Sequence, residues 1–176
     1  MPMRSPTVFA VPPPPAYAWL LLVLLGGVIP IGLMVGMHAL RMPMNGEGLA
    51  WVVVLVVLAG LLLSMRHRAV LLLDGVLEVR AAFYRKRVAV TELDIEHARV
   101  VDLAERTELR PAVKTNGISM PGYHAGHFRI HRKLEKAFCL LTDRRRVLWL
   151  PLRDGGQLLL SLERPQALLD ALHAAR

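Results

Sequence analysis

Two apolar segments near the N-terminus, Tyr17 to Leu40 and Leu49 to Met65, constrain this chain more than anything else in it. The first runs 24 residues with no acid or base apart from His38, and the second runs 17 with no charge. A helix rises about 1.5 Å per residue, so roughly 20 residues cross a hydrocarbon core about 30 Å thick. The first segment can span with tilt, and the second with little slack. The expectation is a two-helix transmembrane hairpin over 17–65, followed by one modest soluble domain over 66–176. The 54% hydrophobic content mostly reports the hairpin.

Charge sets the orientation. From Arg66 onward there are 20 Lys/Arg against 13 Asp/Glu, whereas the connection between the segments holds only Arg41 against Glu47. Arg66, Arg68, Arg80, Arg85, Lys86 and Arg87 follow the second segment closely. Positive residues near span ends stay on the cytoplasmic side. An N-in, C-in hairpin in the cytoplasmic (inner) membrane follows, with the large domain in the cytoplasm. A cleaved signal peptide fits poorly, because the n-region holds one arginine and the apolar stretch exceeds the usual h-region. The lone Cys139 cannot form an internal disulfide, which agrees with a reducing compartment.

Residues 1–16 read as a disordered proline-rich tail, since Pro12 to Pro15 lack backbone donors. Pro30 is expected to kink the first helix. Gly26, Gly27, Gly32 and Gly36 leave notches for a second helix, with Gly60 as one on the partner, and Gly32-x-x-x-Gly36 is a candidate oligomerisation stripe. With no charge inside either segment, a pore or ion pathway has little support.

After Met65 the pattern turns to strands. Ala69 to Leu73, Asp74-Gly75 and Val76 to Arg80 have the form of a hairpin closed by a type I′ turn. Further strands are expected at Arg87 to Thr91, Ala98 to Leu103, His127 to His131, Lys136 to Thr142, Val147 to Leu152 and Gln157 to Ser161, joined as an antiparallel meander. Glu163 to Arg176 shifts to helical spacing, with Leu168, Leu169 and Leu172 on one stripe and Pro165 in the first turn. Together these give a bent antiparallel sheet or barrel of about seven strands, capped by a C-terminal helix.

The stretch from Lys114 to Phe128 carries Thr115, Asn116 and Gly117, then Pro121, Gly122, Tyr123, Gly126 and Phe128. This T-N-G, P-G-Y-x-x-G-x-F pattern, ahead of the last strands and helix, resembles the bacterial PH-domain (pleckstrin-homology-like) membrane proteins of unassigned function. The resemblance covers roughly Ala69 to Arg176 and implies a PH-like fold behind two transmembrane helices. It implies no chemistry, since folds of this kind host many binding functions. Phosphoinositide-binding PH domains place basic residues around the first hairpin loop, where this chain has only Asp74-Gly75.

The candidate binding loop is Lys114, Thr115, Asn116, Gly117, Pro121, Gly122, Tyr123, His124, Gly126, His127 and Phe128. Its glycines permit close backbone approach and an anion nest, but the spacing matches neither a P-loop nor a dinucleotide fingerprint, and structural turn chemistry is the better explanation. His124, His127 and His131 suit a metal by type, but no HExxH or paired cysteines accompany them, so no metal and no cofactor is expected. Cys139 lies in a strand between Phe138 and Leu140, no serine sits in a nucleophile elbow, and no carboxylate pair has a catalytic setting, so no enzyme activity is expected. Arg66, Arg68, Arg85, Lys86 and Arg87 are candidate lipid contacts, Arg132-Lys133 adds a further basic pair, and Arg144 to Arg146 reads as a solvated hairpin tip. Nucleic acid is not expected, for want of a stacking motif or recognition helix. The reading is a non-catalytic binding or scaffold module at the cytoplasmic face, serving a protein partner or a second copy of itself. Sensing of an anionic lipid or small anion is the alternative.

Overall fold

The structure, a computed structural model, describes residues 7–40, 47–131 and 133–175. Arg41, Arg132, Arg176 and the first six residues of the tail, Arg4 among them, lie outside the described residues.

The first apolar segment forms α1 (Ala16–Val23) and α2 (Ile29–Ala39), joined without a break by one π-type turn at Leu24–Val28. Pro30 has no N–H to give and crowds the carbonyl four residues back. The wider turn just before it absorbs that conflict and keeps the helix continuous. Ala16–Ala39 is about 36 Å long and is one N-terminal helix apolar and long enough to cross a membrane. The second segment forms α3 (Glu47–Arg66), whose apolar stretch, Gly48–Leu63, is shorter. Of the expected notches, Gly26 and Gly27 receive Leu58 of α3, whose methyls would stand 3.5 and 3.1 Å from an added Cβ. Gly32, Gly36 and Gly60 face open space.

The tail is not irregular throughout. Thr7–Phe9 is a strand, β1, antiparallel to β2 (Arg68–Leu73), with Phe9 opposite Val70. Val8 and Phe9 have the β-branched and aromatic character that suits a half-buried strand. β2 continues into β3 (Val76–Ala81) and β4 (Tyr84–Ala89), completing a four-stranded sheet. Asp74 and Gly75 both adopt positive φ, 47° and 73°, as the type I′ turn requires.

The second sheet has six strands: β5 (Arg99–Val101), β6 (Pro111–Met120), β7 (Tyr123–Ile130), β8 (Lys136–Leu141), β9 (Val147–Pro151) and β10 (Gln157–Ser161). Their order is β5-β9-β10-β8-β7-β6. The expected single meander departs from the structure in three ways: the strands divide into two sheets, β5 pairs with β9, and β10 inserts between β9 and β8 and pairs with β8 in parallel. The β8–β9 connection therefore crosses the end of β10, and the buried Ser161 hydroxyl holds it there. Ser161 Oγ accepts from the N–H groups of Thr142 (3.1 Å) and Asp143 (3.2 Å) and donates to the Asp143 carbonyl (2.8 Å).

Both faces of this sheet are covered. Phe138, Leu140, Leu148, Leu150, Leu158 and Leu160 join the four-stranded sheet and Leu168 and Leu172 of α4 (Pro165–Ala174) in one core. Ala137, Cys139, Leu141, Val147, Trp149 and Leu159 point the other way, onto Leu103 and Leu109. Ala18 and Leu22 of α1 are buried in the first core, so the helix is packed into the domain and not merely tethered to it.

Candidate functional site

The expected binding loop is a β-hairpin. β6 and β7 pair along almost their whole length, and only Pro121-Gly122 remains as a turn. Gly117 and Gly126 stand opposite each other in the ladder. An added Cβ on Gly117 would come 2.5 Å from the Ala125 carbonyl oxygen, and one on Gly126 would come 2.6 Å from the Asn116 oxygen. Gly126 also has φ of 113°. Thr115 sits at a register shift and donates its hydroxyl to the His127 carbonyl at 3.0 Å. Lys114 and Asn116 are exposed. At the turn, Gly122 has φ of 76° and presses on Tyr17 and Pro15, so the tip is already covered by the start of α1. These motif residues hold the hairpin's shape.

Alternation along β7 separates the histidines. His127 shares a face with Tyr123 and Ala125, its ring edge-on to Phe138 (5.0 Å) and Tyr84 (6.4 Å). His124 faces the opposite side, against Phe128 (5.8 Å) and within 3.0 Å of Ser119 Oγ. Three residues apart on a strand means opposite faces, so the two cannot share an ion, and His131 lies beyond the strand end. Among the described residues no three His, Cys, Asp or Glu side chains are gathered to hold a metal. Cys139 is fully buried, and burial pushes its thiol far up, out of nucleophile range.

Burial lowers both imidazoles, helped by Arg144 at His124 and Lys86 at His127. The unfolded chain therefore binds more protons just below about pH 6.5, and stability conferred above that value is lost as pH falls through the folded values. Thermal unfolding should shift downward between about pH 7.5 and pH 5.5, and the paired change His124→Gln/His127→Gln should flatten that shift.

Tyr123 is fully buried, its hydroxyl has no partner among the described residues, and burial pushes its pKa up to about 12. An unpaired buried hydroxyl costs roughly 1–3 kcal/mol. Tyr123→Phe should thus leave stability unchanged or raise it by about 1 kcal/mol; a clear loss in a melt would show that the hydroxyl is bonded.

Strand direction sorts the basic residues. β2 leaves the end of α3 and runs to the Asp74-Gly75 turn, and β3 returns, so the Ala82-Phe83 turn lies back beside α3. A bond from Ala82 N–H to the His67 carbonyl, 2.9 Å, fixes it there. Arg66, Arg80, Phe83 and Arg85 line one recess of about 340 Å³ at this end of the sheet, where α3 enters it. Arg68 also lines it and reaches the Val11 carbonyl at 3.5 Å. Arg144 and Arg145 line a second recess there with Pro15, Tyr17 and Gly122. The triplet expected as a solvated tip is exposed between β8 and β9, and its first two arginines lie beside the start of α1.

Two expected lipid contacts stand elsewhere. Arg87 lies midway along β4 on Glu78 (2.6 Å), which also binds Arg80 (2.6 Å) and Arg85 (3.3 Å). The Arg80 hydrogen bond, with Arg87 and Arg85 behind it, holds the Glu78 carboxyl below the usual carboxylate range. Lys86 points between the sheets into a cleft of about 480 Å³ with His127, Lys136 and Phe138. Sequence reasoning passed over Phe83 as a site residue, although a bulky aromatic in a two-residue turn between charged strands was the available signal.

Neither a curated protein nor a solved structure matches the chain. The family model described as the bacterial PH domain matches residues 69–175, which span β2 from its second residue through α4. With more than half its length inside that match, the chain belongs to the bacterial PH domain family.

Proposed function

We propose that this protein is a membrane-anchored, non-catalytic binding module that holds its PH domain at the cytoplasmic face for a protein partner or a second copy of itself. The pairing of β1 with β2 carries the reading. β1 precedes the first apolar helix and β2 follows the second, yet they are neighbours in one sheet. If only Ala16–Ala39 crossed a bilayer, these strands would lie on opposite sides and could not pair. Either both helices cross or neither does, and the exposed Leu33, Val35, Val52 and Val56 favour crossing, since lipid is the solvent that such surfaces match. The lysine and arginine surplus beyond Arg66 supports the cytoplasm as that side.

Support for a protein partner comes from β6, an edge strand with no strand on its outer side among the described residues, which can accept an added strand. Gly32 and Gly36 remain open to a second copy. Cysteines introduced at Val8 and Leu73 test the topology through an impermeant maleimide. Both should label only from the cytoplasmic face, and labelling from opposite faces would end the hairpin reading. Crosslinking from β6 in intact membranes should capture protein; capture of lipid alone would remove the scaffold role. A second reading, recognition of anionic lipid, is favoured by the arginines gathered where the helices enter the domain.

A further inference from the structure

We propose that the anchor end of the domain is a docking surface for an anionic phospholipid leaflet, with Phe83 as its inserted wedge. The proposal rests on the anchored reading above and adds where and how the domain meets the bilayer. α3 ends at Arg66, and the Ala82–His67 bond ties the β3–β4 turn to the next residue of the chain. Phe83 therefore sits at the level where α3 would leave the hydrocarbon. It is 69% exposed on a turn held by the Ala82–His67 backbone bond, so most of its ring surface is left off the domain core. Tyr17, 52% exposed in the first turn of α1, marks the same level on the other helix, as interfacial aromatics do.

Charge at this end matches headgroups. Arg66 is exposed, and Arg80 and Arg85 share the single Glu78 carboxylate with Arg87, leaving a surplus of positive charge. Across the anchor, Arg144 and Arg145 follow Asp143, whose Oδ1 is taken up by their own backbone N–H groups at 2.6 and 3.1 Å. The first hairpin turn, Asp74-Gly75, is at the opposite end of β2 and β3 and cannot reach the same leaflet. Recognition is thus by the strand ends beside the helices, with arginines gripping phosphates around an apolar wedge.

The test uses the full chain in nanodiscs of phosphatidylcholine alone or mixed with phosphatidylglycerol, with nitroxide labels placed singly through Phe83→Cys, Leu73→Cys and Leu33→Cys. Buried Cys139 does not compete for the label. Collision with oxygen against a water-soluble nickel chelate reads depth. The label at 83 should be immersed in anionic discs. It should return to water, with a population change on the order of tenfold, in phosphatidylcholine discs, in high salt, or in the Arg66→Gln/Arg80→Gln/Arg85→Gln background. The label at 73 should stay aqueous throughout. An aqueous label at 83 beside an immersed label at 33 would reject docking and keep the anchor; if 33 is also aqueous, the anchored reading itself falls. Equal immersion in both lipids would reject the role of the arginines. Shielding from both probes would mean that protein, not lipid, covers Phe83.

Discussion

Gly126→Ala should cost the full chain about 4 kcal/mol, the largest loss expected from any single methyl added to this domain. Two independent penalties add at this position. A φ of 113° is strained for an L-residue by roughly 1–3 kcal/mol. The new Cβ would also meet backbone on the neighbouring strand, 2.6 Å from the Asn116 oxygen and 2.7 Å from Gly117 Cα, with Tyr84 at 3.1 Å behind it. Backbone in the middle of a sheet cannot step aside as a flexible side chain can. Gly75→Ala is the control: its φ is also positive, 73°, but nothing stands within 4 Å, so about 1 kcal/mol is expected. Denaturant unfolding in detergent separates the two. If Gly126→Ala lost no more than Gly75→Ala, the close approach of β6 and β7 would be wrong, and the motif would again be open to a ligand-binding explanation.

That comparison shows why the motif was legible as a feature and misread as a loop. Glycine, proline and asparagine together announce a backbone that cannot be ordinary, but they do not say whether the cause is a ligand or another strand. The cross-strand partner decides it, and Gly117 opposite Gly126 is information that only the register supplies. Where local pattern suffices, expectation and structure agree closely. Asp74-Gly75 forms its turn, Gln157–Ser161 is the strand as bounded, and Leu168 and Leu172 are the buried stripe of the last helix.

The parallel pair escaped for a different reason. Ala137 to Leu141, Val147 to Leu150 and Leu158 to Leu160 are continuous apolar runs, as strands covered on both faces must be. The runs signal central strands, but short connections between them suggest neighbours in sequence order. Ser161, a buried hydroxyl with three bonds to the β8–β9 connection, permits the exception. β1 was missed because three residues beside four prolines carry no periodicity worth counting.

A fragment beginning at Ala69, where the family match begins, should be far less stable than the whole chain. Cutting there removes β1 from the edge of the first sheet, and with it Ala18 and Leu22, which are 0% and 3% exposed against the domain core. Phe9, Val11 and Trp19 pack around the same core and leave too. Burying one leucine fully contributes about 1.5–3 kcal/mol, so losing this set, plus the β1 ladder, amounts to roughly 4–6 kcal/mol. Domains of this size have about 5–15 kcal/mol in all. The fragment is therefore expected to bind hydrophobic dye and to unfold at much lower denaturant than the full chain in detergent. Fusing Thr7–Val11 to Ala69 through a flexible linker should restore the edge strand and part of the loss, whereas a scrambled peptide should restore none. Equal stability of fragment and full chain would mean that the helices merely carry the domain. A large gap, partly closed by the grafted strand, would mean that the folding unit reaches across the helices, so that any force or partner moving the helices acts directly on the PH domain.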